Sequence, residues 1–447
     1  MSWKELAEIS LWASGNLSEA NLEKIRTVVE TLNKTSAMPS SGREKAEFIL
    51  TYMHRNILKS YSLYQSRIDT IFSNGSYNCV SSAVLYVILC TSAGIDVSGV
   101  VTKDHALAMV HINGEDIDVE TTNRYGFDPG NRKEFNDQFG KTTGFAYVPA
   151  RNYRDRQTIG KIELISLILI NRISDDERKN LYSDSVPLAI DMAALLLGEI
   201  SGSVSKTSSQ NSLFEDPNVY LMDRIFNYGV WLLRAGKEED YLMWAAVASP
   251  VFPDNQRWQE FNMAAVNNRI SKLLRENKLT DARNFLETQK IKLTQANYAQ
   301  LDNILTDAEL LNSANRIGSA ADGNNVISAI EHSLVNRKIN SKRANELITF
   351  AVQKTASLLC AAPERDWRSA ISYIENALNR FGANRELEQS LRTYRGNLAT
   401  EFHNRFAAEW TVKNYDEAES ILIKGLAEFP NDRQLLADME TVKKQKR

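Results

Sequence analysis

Asn113-Gly114 lies between two runs in which apolar and polar residues alternate, His105 to Ile112 and Glu115 to Glu120. Asparagine and glycine tolerate positive φ at both positions of a two-residue turn, so the dipeptide predicts a tight antiparallel hairpin of fixed register. Ile112 then lies opposite Glu115, Val110 opposite Ile117, Leu107 opposite Glu120 and His105 opposite Thr122. Opposed residues share a face of the sheet. Ala106, Ala108, Val110, Ile112, Ile117 and Val119 fall on one face. His105, Leu107, Met109, His111, Asp116, Asp118, Glu120 and Thr122 fall on the other.

This register ranks the acids around His105. Glu120 is one diagonal step away, about 7 Å between backbones, which a side chain can bridge. Asp118 faces Met109, four residues further along, and at about 3.3 Å per residue it lies about 13 Å away. A bulge would change that register, so Asp118 stays as the reserve acid. His111 is about 20 Å from His105 on a regular strand. The two histidines therefore cannot share a metal, and the scattered thiols complete no zinc ligand set.

Upstream, Ser76-Tyr77-Asn78-Cys79-Val80-Ser81-Ser82-Ala83-Val84-Leu85-Tyr86 reads as a polar cap, a cysteine and an apolar helix running to about residue 93. Asn78 or Ser76 serves as N-cap, because a short side-chain oxygen accepts a free N–H of the first turn. Cys79 then lies where the helix dipole favours a thiolate. That is the setting for a nucleophilic cysteine, and also one that a small buried apolar residue can occupy. Cys90 is about 16 Å further along the same helix and cannot pair with it. With Cys360, the three cysteines make no disulfide framework. Cys90 reads as core.

The net charge of −3 gives no reason to expect nucleic acid or an acidic membrane. Met1-Ser2-Trp3-Lys4-Glu5-Leu6 opens directly into a mixed polar helix, which predicts a cytoplasmic protein, or an exported one if a signal has been removed. The apolar stretches around 164–170 and 192–197 are too short to cross a bilayer. There is no phosphate-binding glycine loop and no dinucleotide fingerprint, so no cofactor is implied.

At 447 residues, the chain has room for about two or three domains. Residues 4–60 show helical stripes: Leu6, Ile9, Leu11 and Trp12; then Leu22, Ile25, Val28, Val29 and Leu32; then Phe48, Ile49, Tyr52 and Met53. His54, among polar neighbours, reads as a surface or cap residue. Residues 97–101 predict a strand, 124–144 mainly loop, 145–148 a further short strand, and about 158–172 a helix against the sheet. Residues 181–200 predict another helix. The Ser-rich stretch after it reads as a flexible linker over 201–215. It separates an α+β domain, 1–200 with its core at 40–170, from an all-α domain at 216–447.

Beyond the linker, helix pairs recur around short turns such as Ala235-Gly236-Lys237, Glu276-Asn277-Lys278, Pro363-Glu364-Arg365 and Lys413-Asn414-Tyr415. Ala370, Ser372, Leu378, Phe381, Arg385 and Leu387 match Ala418, Ser420, Leu426, Phe429, Arg433 and Leu435 at an offset of 48. Asn414-Tyr415-Asp416-Glu417-Ala418, Gly425-Leu426 and Phe429-Pro430-Asn431 resemble the second helix of a tetratricopeptide repeat, at a longer spacing than the usual period of about 34. Such stacks bury a continuous core and leave a concave surface for a protein partner.

A nucleophilic cysteine needs a base, and the base needs an orienting acid. Cys79, His105 and Glu120 fill these roles, with the backbone N–H of Cys79 placed to help form an oxyanion hole. The order of a Cys at a helix start, His-Ala opening a strand, a hairpin, and an acid before threonine resembles the transglutaminase-like superfamily, the bacterial branch of papain-like folds. The family pattern is Cys, His-Ala, Asp-Pro-Thr; here Glu120-Thr121-Thr122 stands at the last motif and Leu107 follows His-Ala where an aromatic is frequent. The resemblance covers roughly residues 40–150. It implies acyl transfer through a thioester, on an amide or peptide substrate, as hydrolase or transferase. It equally admits a retired catalyst serving as an interaction scaffold. Arg151, Tyr153, Arg154 and Arg156 form a basic cluster that either holds a substrate carboxylate or is a solvated loop.

Overall fold

The computed structural model describes residues 1–130, 133–144, 152, 154–201, 216–361 and 365–445. It is mostly helical with two small sheets, and divides into two compact units, Met1–Asp254 and Asn255–Arg447. The boundary is not in the Ser-rich stretch, which lies almost wholly outside the described residues. The helices on either side of that stretch pack on each other within the first unit. Whether the helices flanking a polar stretch pack on each other is decided by their apolar faces.

The first unit begins with α1 (Trp3–Ala13), α2 (Glu19–Lys34) and α3 (Gly42–Asn56). Ser2 and Glu5 cap α1 reciprocally, and Ser18 caps α2 through the N–H of Asn21. Next come β1 (Ser60–Tyr61), α4 (Ile68–Asn74) and β2 (Ser76–Tyr77), with β1 and β2 paired in parallel. The central helix α5 (Cys79–Ser92) follows. Asn78 is its cap: Oδ1 accepts the Ser81 N–H at 3.0 Å while the Asn78 N–H donates to Ser81 Oγ at 2.9 Å. Every residue from Val80 to Cys90 is buried, as expected of a helix that is apolar all round.

Three antiparallel strands follow: β3 (Asp96–Val101), β4 (Ala106–Ile112) and β5 (Glu115–Val119). Asn113 and Gly114 both take positive φ, and the ladder runs from Ile112–Glu115 to Ala108–Val119 in the register that the turn dictates. Ala106, Ala108, Val110, Ile117 and Val119 join α5 in the main core. Leu107 and Met109, facing away, form a separate small cluster with Val100.

After the hairpin, the stretch read as loop contains α6 (Lys133–Thr143). Phe135 and Phe139, one turn apart, are both buried on it; the glycine and asparagine content around them masked that spacing. The expected strand at 145–148 lies outside the described residues. Residues 157–159 are not the start of a helix but β6 (Gln157–Ile159), which pairs with β3 and completes the sheet order β5-β4-β3-β6. Then come α7 (Lys161–Arg178), packed on α1 and α5, α8 (Tyr182–Ser201), α9 (Pro217–Arg234) and α10 (Glu238–Ala248).

The second unit is helical throughout its described residues: α11 (Arg257–Arg275), α12 (Leu279–Gln289), α13 (Gln295–Asn315), α14 (Ala320–Val335), α15 (Ser341–Leu359), α16 (Trp367–Phe381), α17 (Arg385–Thr411), α18 (Tyr415–Glu428) and α19 (Arg433–Gln445), apart from a short 3-10 turn at Lys290–Lys292. Turns expected at Asn277 and Lys413 are present, each with positive φ; the Pro363-Glu364 turn lies outside the described residues. Helices α12, α14, α16 and α18 share one feature. Their fourth residues, Ala282, Gly323, Ala370 and Ala418, are all small and buried. Gly323 is the tightest of these contacts, since a Cβ there would meet Thr355 Oγ1 at 2.1 Å and Tyr373 OH at 2.9 Å.

Gly323→Val should lower the unfolding free energy of the second unit by about 1–3 kcal/mol, the usual cost of overpacking. Urea titration of the full chain measures this, and an unchanged midpoint for the second unit would mean that α14 and α15 are not so closely apposed.

Candidate functional site

Cys79 is the first residue of α5, with its side chain partly exposed. The first-turn N–H groups of a helix have no intrahelical acceptor, so the backbone amide of Cys79 is left to bind something else. His105 stands immediately before β4, where its carbonyl accepts the Thr102 N–H at 2.9 Å and closes the β3–β4 connection. Glu120 stands immediately after β5 and is wholly buried.

These three residues converge. His105 Nε2 donates to Glu120 Oε2 at 2.6 Å, and the Cys79 side chain lies close enough to the ring to help raise its pKa. The other carboxylate oxygen of Glu120 accepts the Thr122 N–H at 3.0 Å and the Thr122 hydroxyl at 2.6 Å. The chain then turns sharply: the Glu120 N–H donates to Gly126 O at 2.8 Å and the Gly126 N–H to Asn123 O at 3.0 Å. A Cβ on Gly126 would lie 2.0 Å from the Glu120 carbonyl, so only glycine lets this turn close.

Thr121 ties the turn to the cysteine helix. Its Oγ1 lies 2.8 Å from Ser82 Oγ, which also reaches Asn78 O at 2.8 Å. Its carbonyl accepts from His54 Nε2 at 3.0 Å. His54 is thus no surface residue: it is partly buried beneath the acid and packs edge-on against Tyr77, 5.9 Å between centroids. Tyr77 OH donates to Thr122 O at 3.3 Å, and Tyr61 meets Tyr77 edge-on at 5.9 Å. From the other side, Phe139 of α6 stands edge-on to His105 at 6.0 Å. His54, Tyr61, Tyr77, Ser82 and Phe139 carry no sequence motif. Ser82 alone has a signal, a hydroxyl one helical turn from Cys79 in a mostly apolar helix.

The electrostatics follow from the burial. Desolvation works against a charge on His105, but the Glu120 carboxylate and the nearby Cys79 side chain outweigh it and hold the imidazole pKa well above its ordinary value. Desolvation also opposes the Glu120 charge, and the imidazolium with the two Thr122 donors outweighs it, so the carboxyl pKa is lowered. Burial pushes His54 the opposite way, down to about 4, so its ring is neutral near pH 7 with the proton on Nε2. Cys90 is fully buried and its thiol is pushed up to about 12; burial raises Cys360 to about 11. Both are protonated and inert near neutrality.

The remaining candidates lie elsewhere. Asp118 faces Met109 in the ladder and pairs with Arg156, whose Nη2 is 2.6 Å from Oδ1 and Nη1 3.1 Å from Oδ2. His111 bridges Asp116 at 2.7 Å and Ser98 at 2.9 Å on the open face of the sheet. Within the basic cluster, Arg156 is held by Asp118 and Arg154 is exposed, while residues 151 and 153 lie outside the described residues. No protein-family model matches this chain, and no curated protein matches it. Among the described residues, no helix is long and apolar enough to cross a membrane.

Glu120→Gln removes the charge that holds the His105 proton, so the His105 pKa should fall; NMR titration of the ring reads this directly. The pH dependence of stability has a definite sign. A raised histidine pKa stabilises fully below the unfolded value of 6.5 and fades as pH rises through the folded value. A lowered glutamate pKa stabilises above 4.5 and fades as pH falls. The stability difference between wild type and Glu120→Gln should therefore be greatest between about pH 4.5 and 6.5, on the order of 1.5–3 kcal/mol, and shrink on both sides. A difference that grows above pH 7 would contradict the ion pair. Gly126→Ala should lower the His105 pKa in the same way, by dislodging the backbone of Glu120.

Proposed function

We propose that the first unit is a transglutaminase-like, cysteine-dependent amide or peptide acyl hydrolase or transferase, and that the second is a tetratricopeptide-like repeat array that binds a protein partner. The observation that carries the catalytic reading is the 2.6 Å bond from His105 to a buried Glu120, with Cys79 near the same imidazole. Glu120 fixes the tautomer: with Nε2 donating to the carboxylate, Nδ1 is the nitrogen left to serve the sulfur. The thiol proton passes to His105, and the Cys79 sulfur adds to the acyl carbon. The carbonyl π pair moves to oxygen, where the Cys79 N–H stabilises it. Collapse re-forms the carbonyl, breaks the C–N bond and releases the amine with the His105 proton. Water or a second amine then attacks the thioester, with His105 as its base.

For the second unit, the support is the small buried residue repeated at one place in four helices and the offset of 48 between the last two pairs. Alternating helices that pack this closely leave one continuous face open to a partner.

The decisive experiment is the rate of Cys79 alkylation by iodoacetamide against pH, in wild type and in His105→Ala. A thiolate–imidazolium pair keeps the wild-type rate high down to pH 6 and collapses in the variant. A rate that titrates near the free-cysteine value of about 8.5 and ignores the substitution would instead leave the first unit as a binding module.

A further inference from the structure

We propose that Tyr61 is a catalytic residue whose hydroxyl donates, together with the Cys79 N–H, to the oxyanion formed on the acyl carbonyl. The inference rests on the cysteine-dependent reading above. Tyr61 comes from β1, and the parallel pairing sets it beside Tyr77, two residues before the nucleophile. The Ser62 N–H bonded to Tyr77 O at 2.8 Å and the Asn78 side-chain amide bonded to Leu63 O at 3.1 Å fix this strand against the start of the cysteine helix. The two residues immediately before Cys79 therefore determine where Tyr61 lies.

The two tyrosines differ in what their hydroxyls do. Tyr77 spends its donor on Thr122 O. The Tyr61 hydroxyl has no hydrogen-bond partner among the described residues, yet its ring is wedged edge-on against Tyr77 and only partly exposed. The hydroxyl is not a buried unpaired atom, so solvent reaches it and a substrate oxygen can take the place of water. Burial raises its pKa, and the nearness of Cys79, Glu120 and Tyr77 raises it further, so the group keeps its proton near neutral pH and remains a donor. A negative oxygen growing beside Cys79 is the acceptor it lacks. In the ground state a neutral carbonyl accepts weakly; in the tetrahedral intermediate, the electron pair displaced by sulfur attack sits on that oxygen, and the bond strengthens as charge develops.

Two reactions of Cys79 separate this role from a merely structural one. Alkylation by iodoacetamide is a displacement at saturated carbon and makes no oxyanion. Acylation by p-nitrophenyl acetate passes through one: the S–C bond forms, the carbonyl pair moves to oxygen, and p-nitrophenolate leaves as the thioester is made. Tyr61→Phe in the full chain, with thermal melting to check the fold, should slow the p-nitrophenolate burst about 100-fold and leave the alkylation–pH profile unchanged. A burst at the wild-type rate overturns the proposal alone. Equal losses in both reactions overturn it as well, because Tyr61 would then act only on the thiol. A wild type without the ion-pair alkylation profile removes the catalytic reading, and Tyr61 with it.

Discussion

A wholly buried carboxylate is the constraint around which the first unit is arranged. Removing an ionised carboxylate from water costs several kcal/mol even after relaxation, so Glu120 is tolerable only if each of its oxygens is met. One oxygen takes His105, and the other takes both donors of Thr122. Holding Thr122 in place requires the tight turn that only Gly126 can close, and holding that turn requires Ser82, Tyr77 and His54. Ser82 belongs to α5 itself, and Tyr77 and His54 belong to β2 and α3, which pack against it. The acid thus couples the hairpin, the cysteine helix and α3 through one short segment of chain.

The sheet serves this arrangement with its two faces. The apolar face beds on α5 and sets the distance between the hairpin and the cysteine helix. The other face is spanned by Arg156, which enters beside β6 at one edge and reaches Asp118 on β5 at the opposite edge, passing Met109 Sδ at 3.4 Å. That salt bridge occupies the second acid of the hairpin. Only Glu120, one step past the ladder, is left for His105. The choice between the two acids is therefore made twice, by strand spacing and by Arg156.

The hairpin register and the cysteine helix were legible because each depends on local rules. Asn113-Gly114 admits one turn geometry, and Asn78 before Cys79 admits one capping geometry, so counting residues was enough to bring Glu120 to His105. What could not be read was set by non-local packing. The β1–β2 pair is two residues long and too short to show a period, yet it delivers Tyr61. Helix α6 follows a segment rich in glycine and asparagine, and only the pairing of Phe135 with Phe139 betrays it. His54 looks like a surface residue because its neighbours in sequence are polar; its neighbours in space are Tyr77 and Thr121.

The second unit shows the same division between local and non-local information. Its repeat is marked by the small fourth residue of alternate helices, and those residues stand 41, 47 and 48 positions apart. The spacing varies because both helices of each pair vary in length: the first helices α12, α14 and α16 have 11, 16 and 15 residues, and the second helices α13, α15 and α17 have 21, 19 and 27. A fixed offset therefore aligns only the last two pairs, which is why the periodicity was visible there and lost upstream. Close approach of two helices constrains the residue at the crossing point and says little about how far each helix runs beyond it. Conserving the crossing while varying the length keeps a stack continuous and changes the surface it exposes. For an array that recruits a partner, that exposed surface is where specificity resides.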